Sequence, residues 1–152
     1  MFALEMCRPP PAVQVGRWTL QAITQLRELR GALHRMLADH ADHPDGADVA
    51  AKVTLVATEL AGNALLHGRA PVEVRLLNGD GRWLIDVADS DLANAPTVAG
   101  PGQATAGGRG LRIARALSTG IGWYIAGQAK HVWAAVPTVS SPPAGPDRRT
   151  RP

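Results

Sequence analysis

The chain has 152 residues, 45% of them apolar, and a formal net charge of +3; this is the size of one ordinary globular domain, able to bury a core without staples. No apolar run approaches the ~20 residues a membrane span needs, and residues 1–15 lack the apolar stretch of a signal peptide. The one cysteine, Cys7, excludes an internal disulfide and fits a reducing cytoplasm. The pI of 9.7 raises nucleic-acid binding. However, Arg148, Arg149 and Arg151, offset by Asp147, hold two of the three net charges at the extreme C-terminus, and no stretch interleaves clustered cations with aromatic residues. A DNA-binding regulator is therefore disfavoured.

In chain order, residues 1–12 carry Pro9-Pro10-Pro11 and read as a flexible lead. Val13, Val15 and residues 17–20 suggest a short strand. Ile23, Leu26, Leu29, Leu33 and Leu37 recur at three- and four-residue steps, the stripe of an amphipathic helix. Residues 40–46 are a loop, and Asp45 or Asp48 is placed to cap a second helix. There Val49, Val53, Val56, Leu60 and Ala64 share a face, with Gly68 and Pro71 as stop signals. Residues 71–77 and 83–87 read as a hairpin about Asn78-Gly79-Asp80-Gly81.

Residues 90–107 lack apolar periodicity and have the composition of a lid or binding loop. Leu111, Ile113, Ala114 and Leu117 mark a short helix starting near Gly110. Two last strands, about residues 123–126 and 132–136, turn at Gly127-Gln128. Residues 137–152, rich in Pro and Arg, read as a disordered tail. The expectation is one α+β domain over residues 13–136, a two-layer sandwich with a mixed or antiparallel sheet and helices on one face.

Three pieces bear on chemistry. Glu59 and Asn63 are four apart, and His67 continues the row on one helix face. A glutamate can accept a proton, and an amide oxygen suits a hard cation such as Mg²⁺; the same residues also fit a helix face that simply meets water. His67 suits either a phosphate or the negative end of its own helix. Asp89 ends an apolar strand, where a carboxylate can accept from an exocyclic amine or merely make a turn. Gly107-Gly108-Arg109-Gly110-Leu111 leads into a helix whose unpaired N–H groups can meet phosphate. It is neither a Walker loop nor a dinucleotide fingerprint. His34, His40 and His43 have no ligand spacing with Cys7, and Trp18, Trp83, Trp123 and Trp133 read as sheet-packing residues.

The order helix with Glu-x-x-x-Asn, hairpin, Asp, long loop, Gly-x-Gly into a helix, final hairpin resembles the GHKL (Bergerat) ATP-binding fold. It is most similar to the bacterial anti-sigma-factor serine/threonine kinases. Glu59-Leu60-Ala61-Gly62-Asn63-Ala64-Leu65-Leu66-His67-Gly68 resembles the N box, Asp86-Val87-Ala88-Asp89 through Pro96 the G1 region and Gly107-Gly108-Arg109-Gly110-Leu111 the G2 region. The resemblance implies ATP and Mg²⁺ as cofactors, Asn63 as the metal residue and Glu59 as the base that activates a substrate serine. It further implies that Asp89 reads the adenine amine, and that His67, Gly107, Gly108, Arg109, Gly110 and Leu111 line the nucleotide. His131 stands where many relatives have a threonine near adenine, and Gly62 replaces a frequent hydroxyl residue.

By that resemblance the partners are a sigma factor or an anti-anti-sigma (STAS-type) protein whose serine is phosphorylated. The alternative is an ATP-dependent binding switch without phosphotransfer. A homodimer through the first helix or the sheet edge is left open.

Overall fold

The row Val49, Val53, Val56, Leu60 and Ala64 becomes the spine of the molecule. In the structure, a computed structural model that describes residues 2–39, 46–98 and 108–138, these residues lie on helix α2 (Gly46–His67), each less than a tenth exposed. Helix α1 (Leu26–Asp39) packs beside it through Leu29, Leu33 and Leu37. Ile23, expected to open that helix, lies in a preceding 3-10 turn, Ile23–Gln25. Burying one such aliphatic side chain is worth roughly 1.5–3 kcal/mol. Among the described residues α2 alone has the length and composition to cross a bilayer, and Val49, Val53, Val56, Leu60 and Ala64 on it face this core.

Beneath the helices runs a five-stranded antiparallel sheet, in the order β2 (Val13–Leu20), β3 (Val72–Gly79), β4 (Arg82–Asp89), β7 (Ala129–Pro137), β6 (Gly120–Ala126). Two short strands, β1 (Phe2–Ala3) and β5 (Thr97–Val98), pair with each other apart from it. Helix α3 (Gly108–Leu117) packs on α2. Val72, Val74, Leu76, Ile85, Val87, Val132, Ala134 and Val136 join the helices in one core. The hairpin turn is tighter than the expected four residues: Gly79 pairs with Arg82, and Asp80 and Gly81 both have positive φ, 50° and 71°. That geometry matches the strands' right-handed twist. β7 runs to Pro137, and Thr138 donates to the Gly81 carbonyl from its amide and hydroxyl; the remaining tail lies outside the described residues.

The lead departs most from expectation. Rather than lying loose, residues 2–12 are laid along the sheet. β1 pairs with β5, Met6 bridges Trp123 in parallel on the edge of β6, and Cys7 N–H donates to Trp123 O at 2.9 Å. Indole N–H groups of Trp123 and Trp133 donate to the Leu4 and Cys7 carbonyls at 3.1 and 2.8 Å. The cause is apolar area on the helix-free face: Leu84, Tyr124, Trp133 and Ala135 form a second cluster, against which Cys7 and Ala12 pack. Burial and the Glu5 charge push the Cys7 thiol up, so it stays protonated.

Candidate functional site

The last two turns of α2 form one wall of the site. Glu59 and Asn63 are half-buried and His67 is exposed, one helical turn apart. Among the described residues no protein group engages the Asn63 amide or the Glu59 carboxylate by a hydrogen bond or ion pair. The helix ends where the Gly68 amide donates to the Ala64 carbonyl at 2.8 Å. Asp48, considered as a cap, lies instead in the first turn, with Lys52 Nζ 3.1 Å from its carboxylate; Asp45 is outside the described residues.

Two close approaches fix what faces this wall. A Cβ built on Gly110 would stand 2.9 Å from Glu59 Oε2 and 3.1 Å from the Glu59 carbonyl. The first turn of α3 therefore meets α2 at Glu59, in an approach so close that a side chain at 110 would press on Glu59. A Cβ on Gly68 would stand 2.6 Å from Asp89 Oδ2, so the end of β4 meets the end of α2 at Asp89. Glu59 and Gly68 are nine residues apart, roughly 14 Å along a helix axis. Over that length the wall carries a carboxylate, a free amide and an imidazole, with a helix N-terminus at one end and a buried carboxylate at the other. No acidic residue occupies the first turn of α3, leaving its positive dipole end available to an anion.

Of the glycine-rich residues, Gly107 lies outside the described residues, and Gly108 and Arg109 open α3. Leu111 is 1% exposed; its side chain belongs to the core, so only its backbone is available to a ligand.

Asp89 is 4% exposed. Its Oδ1 accepts from the Asp91 amide at 2.7 Å, and Lys130 Nζ stands 3.8 Å from Oδ2. Lys130, itself 6% exposed, also donates to the Asn94 carbonyl at 2.9 Å. The register pairs Asp89 with Lys130, and strand side chains alternate faces. His131 turns to the side of the sheet opposite Asp89; the residue beside the Asp89 carboxylate is Lys130. The sequence signal was a lysine near the start of a largely apolar strand.

On that opposite face His131 joins a network centred on Asp86, 1% exposed. His131 Nδ1 is 2.7 Å from Asp86 Oδ1, the Tyr124 hydroxyl donates to Oδ2 at 2.6 Å, and Arg75 Nη2 is 3.3 Å from Oδ2. The Tyr124 and His131 rings stack with centroids 4.6 Å apart, and Arg8 of the lead lies over the Tyr124 ring. Burial alone would push the Asp86 carboxyl up. Hydrogen bonds from His131 and Tyr124, with the charges of His131 and Arg75, outweigh it and hold the carboxyl below the usual range. Burial, then Asp86, pushes the Tyr124 phenol up to about 12, which keeps it a donor.

The comparisons with known proteins agree with this fold. Residues 20–135 match the family described as the histidine kinase-like ATPase domain. Among solved structures, the chain is similar to that of the RsbU and RsbW domains of Rv1364c from Mycobacterium tuberculosis. That match has a TM-score of 0.56 and 24% identity, covering 85% of this chain and 32% of the other, so this chain spans about a third of that molecule. No curated protein sequence matches the chain significantly.

Proposed function

The chain belongs to the histidine kinase-like ATPase domain family, and from that premise we propose that it binds ATP with Mg²⁺ and acts as an anti-sigma-factor serine kinase. The observation that carries this reading is the contact between Gly110 and Glu59. It sets a candidate base beside the helix terminus that suits phosphate. The adenine amine would donate to Asp89. The phosphates would meet the backbone of residues 107–111, with His67 and Arg109 as further contacts. Asn63, half-buried and without a protein partner among the described residues, fits Mg²⁺, which commonly takes few protein ligands and completes its shell with phosphate oxygens and water. The ion would supply charge neutralisation on those oxygens.

In the reaction, Glu59 would take the proton from a serine hydroxyl of an anti-anti-sigma partner. The serine oxygen would bond to the γ-phosphorus while the bond from that phosphorus to its bridging oxygen breaks, and ADP would leave. Most of the acceleration in such transfers comes from positioning and charge stabilisation. A general base contributes about 10²–10⁴-fold, so Glu59→Gln is expected to lose that factor in phosphate transfer from γ-labelled ATP to the STAS-type protein of the same genome. ATP affinity, read in parallel, is expected to be retained. Transfer at the wild-type rate by Glu59→Gln would remove Glu59 from the chemistry. ATP binding without transfer by the wild type would favour a nucleotide-dependent binding switch.

A further inference from the structure

The lead touches both faces of the sheet. Leu4, 6% exposed, sits in the core on the helix side, whereas Cys7 packs on the helix-free face. Between them the chain rounds the edge of β6: the Trp123 amide donates to the Glu5 carbonyl at 3.1 Å, and the Cys7 amide to the Trp123 carbonyl at 2.9 Å. Past the edge, the Trp133 indole holds the Cys7 carbonyl and Arg8 lies over the Tyr124 ring. Before it, β1 pairs with β5 and the Leu4 amide donates to the Pro96 carbonyl at 3.4 Å.

β5 ends the segment that begins at Asp89. That segment is tied in three places: the Asp91 amide to the Asp89 carboxylate, the Asn94 carbonyl to Lys130, and β5 to β1. β5 also packs on α3, whose first turn meets Glu59. The lead therefore supplies one of the ties behind the Asp89 end of the pocket. A ribbon of two-residue strands is weak by itself, and segments with few buried contacts open first. We propose that the lead is a strap. Docked, it holds the segment after Asp89 in the form that binds nucleotide; released, it leaves β5 without its partner and lowers the affinity. A ligand shifts such an equilibrium only through its differential affinity for the two states, and the difference here is the order of the segment beside Asp89. The coupling is reciprocal, so nucleotide tightens the lead by the factor that the lead adds to nucleotide affinity. The inference rests on the nucleotide-binding reading, and the test separates the two.

Cys7 is the one cysteine of the chain. It lies on the face of the sheet opposite the helices and the pocket, so bound nucleotide does not shield it directly. Its alkylation by N-ethylmaleimide at fixed pH in the full chain therefore reports release of the lead. Saturating ATP with Mg²⁺ is expected to slow that reaction by about fivefold or more, the lower end for coupling between two sites. Gly122→Ala acts from the lead's side: the added methyl would press on Cys7 Sγ and stand 3.1 Å from the Glu5 carbonyl. It is expected to speed alkylation and to weaken ATP binding, read by calorimetry, by about fivefold or more. Trp133→Phe, which removes the indole donor to the Cys7 carbonyl, is expected to move both readouts in the same direction by less. ATP binding that leaves the alkylation rate unchanged would overturn the strap and leave the ATP reading intact. So would faster alkylation in the variants at wild-type ATP affinity. A folded wild type that binds no ATP would overturn both.

Discussion

Replacing Asp86 by alanine is expected to lower the unfolding free energy by about 3 kcal/mol, measured by urea denaturation at neutral pH. Removing one partner of a buried ionic group costs about 3–5 kcal/mol when the other charge is stranded. Here Arg75, with its side chain 27% exposed, reaches water, which places the loss at the lower end. The Tyr124 hydroxyl would lose its acceptor in a buried site. Because the folded Asp86 carboxyl is held below its ordinary value of 3.8, its stabilisation is present above that pH and fades as pH falls through the folded value. The wild type should therefore lose stability on acidification more steeply than Asp86→Ala. A loss below about 1 kcal/mol, the size seen for exposed ion pairs, would mean that water reaches the network.

Gly68→Ala is the second large effect, and it acts on the site directly. The added methyl would stand 2.6 Å from the Ala64 carbonyl oxygen and from Asp89 Cγ and Oδ2. The carbonyl is backbone, and Asp89 is held by the Asp91 amide, so neither can step aside cheaply. Overpacking of this kind costs about 1–3 kcal/mol. Relief comes by moving the end of α2 away from β4, which would take Asp89 out of reach of the adenine of a nucleotide whose phosphates are held through Asn63. Nucleotide affinity is expected to fall by roughly tenfold or more, the worth of a hydrogen bond to a charged group. Gly62 offers the contrast: a Cβ there meets only Leu26 Cδ1 at 3.6 Å, ordinary contact, so Gly62→Ala should bind nucleotide as the wild type does. Equal affinities in all three proteins would contradict the placement of Asp89.

The legible features were those with a local period or turn chemistry. The α2 row, the Asp80-Gly81 hairpin and the glycine approach to a helix all follow from neighbours in sequence. The helix stripe of α1 was legible to within the 3-10 turn at its start. What stayed hidden depends on long-range contact. Nothing local says that a proline-rich lead will cover the outer face of the sheet; that requires knowing that Leu84, Tyr124 and Trp133 share it. The clue lay in β4, where Trp83, Leu84, Ile85, Asp86 and Val87 are all buried. A strand without polar alternation has both faces covered, and an aspartate inside it needs partners. The exchange of His131 for Lys130 turned on one residue of register, which in a strand decides the face.

The measurement closest to the central claim is calorimetric titration of the full chain with ATP and Mg²⁺, beside Asn63→Ala and Asp89→Ala. Saturable binding by the wild type is expected. Each variant should bind at least about tenfold more weakly, since each removes a polar contact to a charged or metal-bound group. A folded wild type that binds no ATP, or variants that bind as tightly as it does, would contradict a nucleotide pocket between α2, Asp89 and the start of α3.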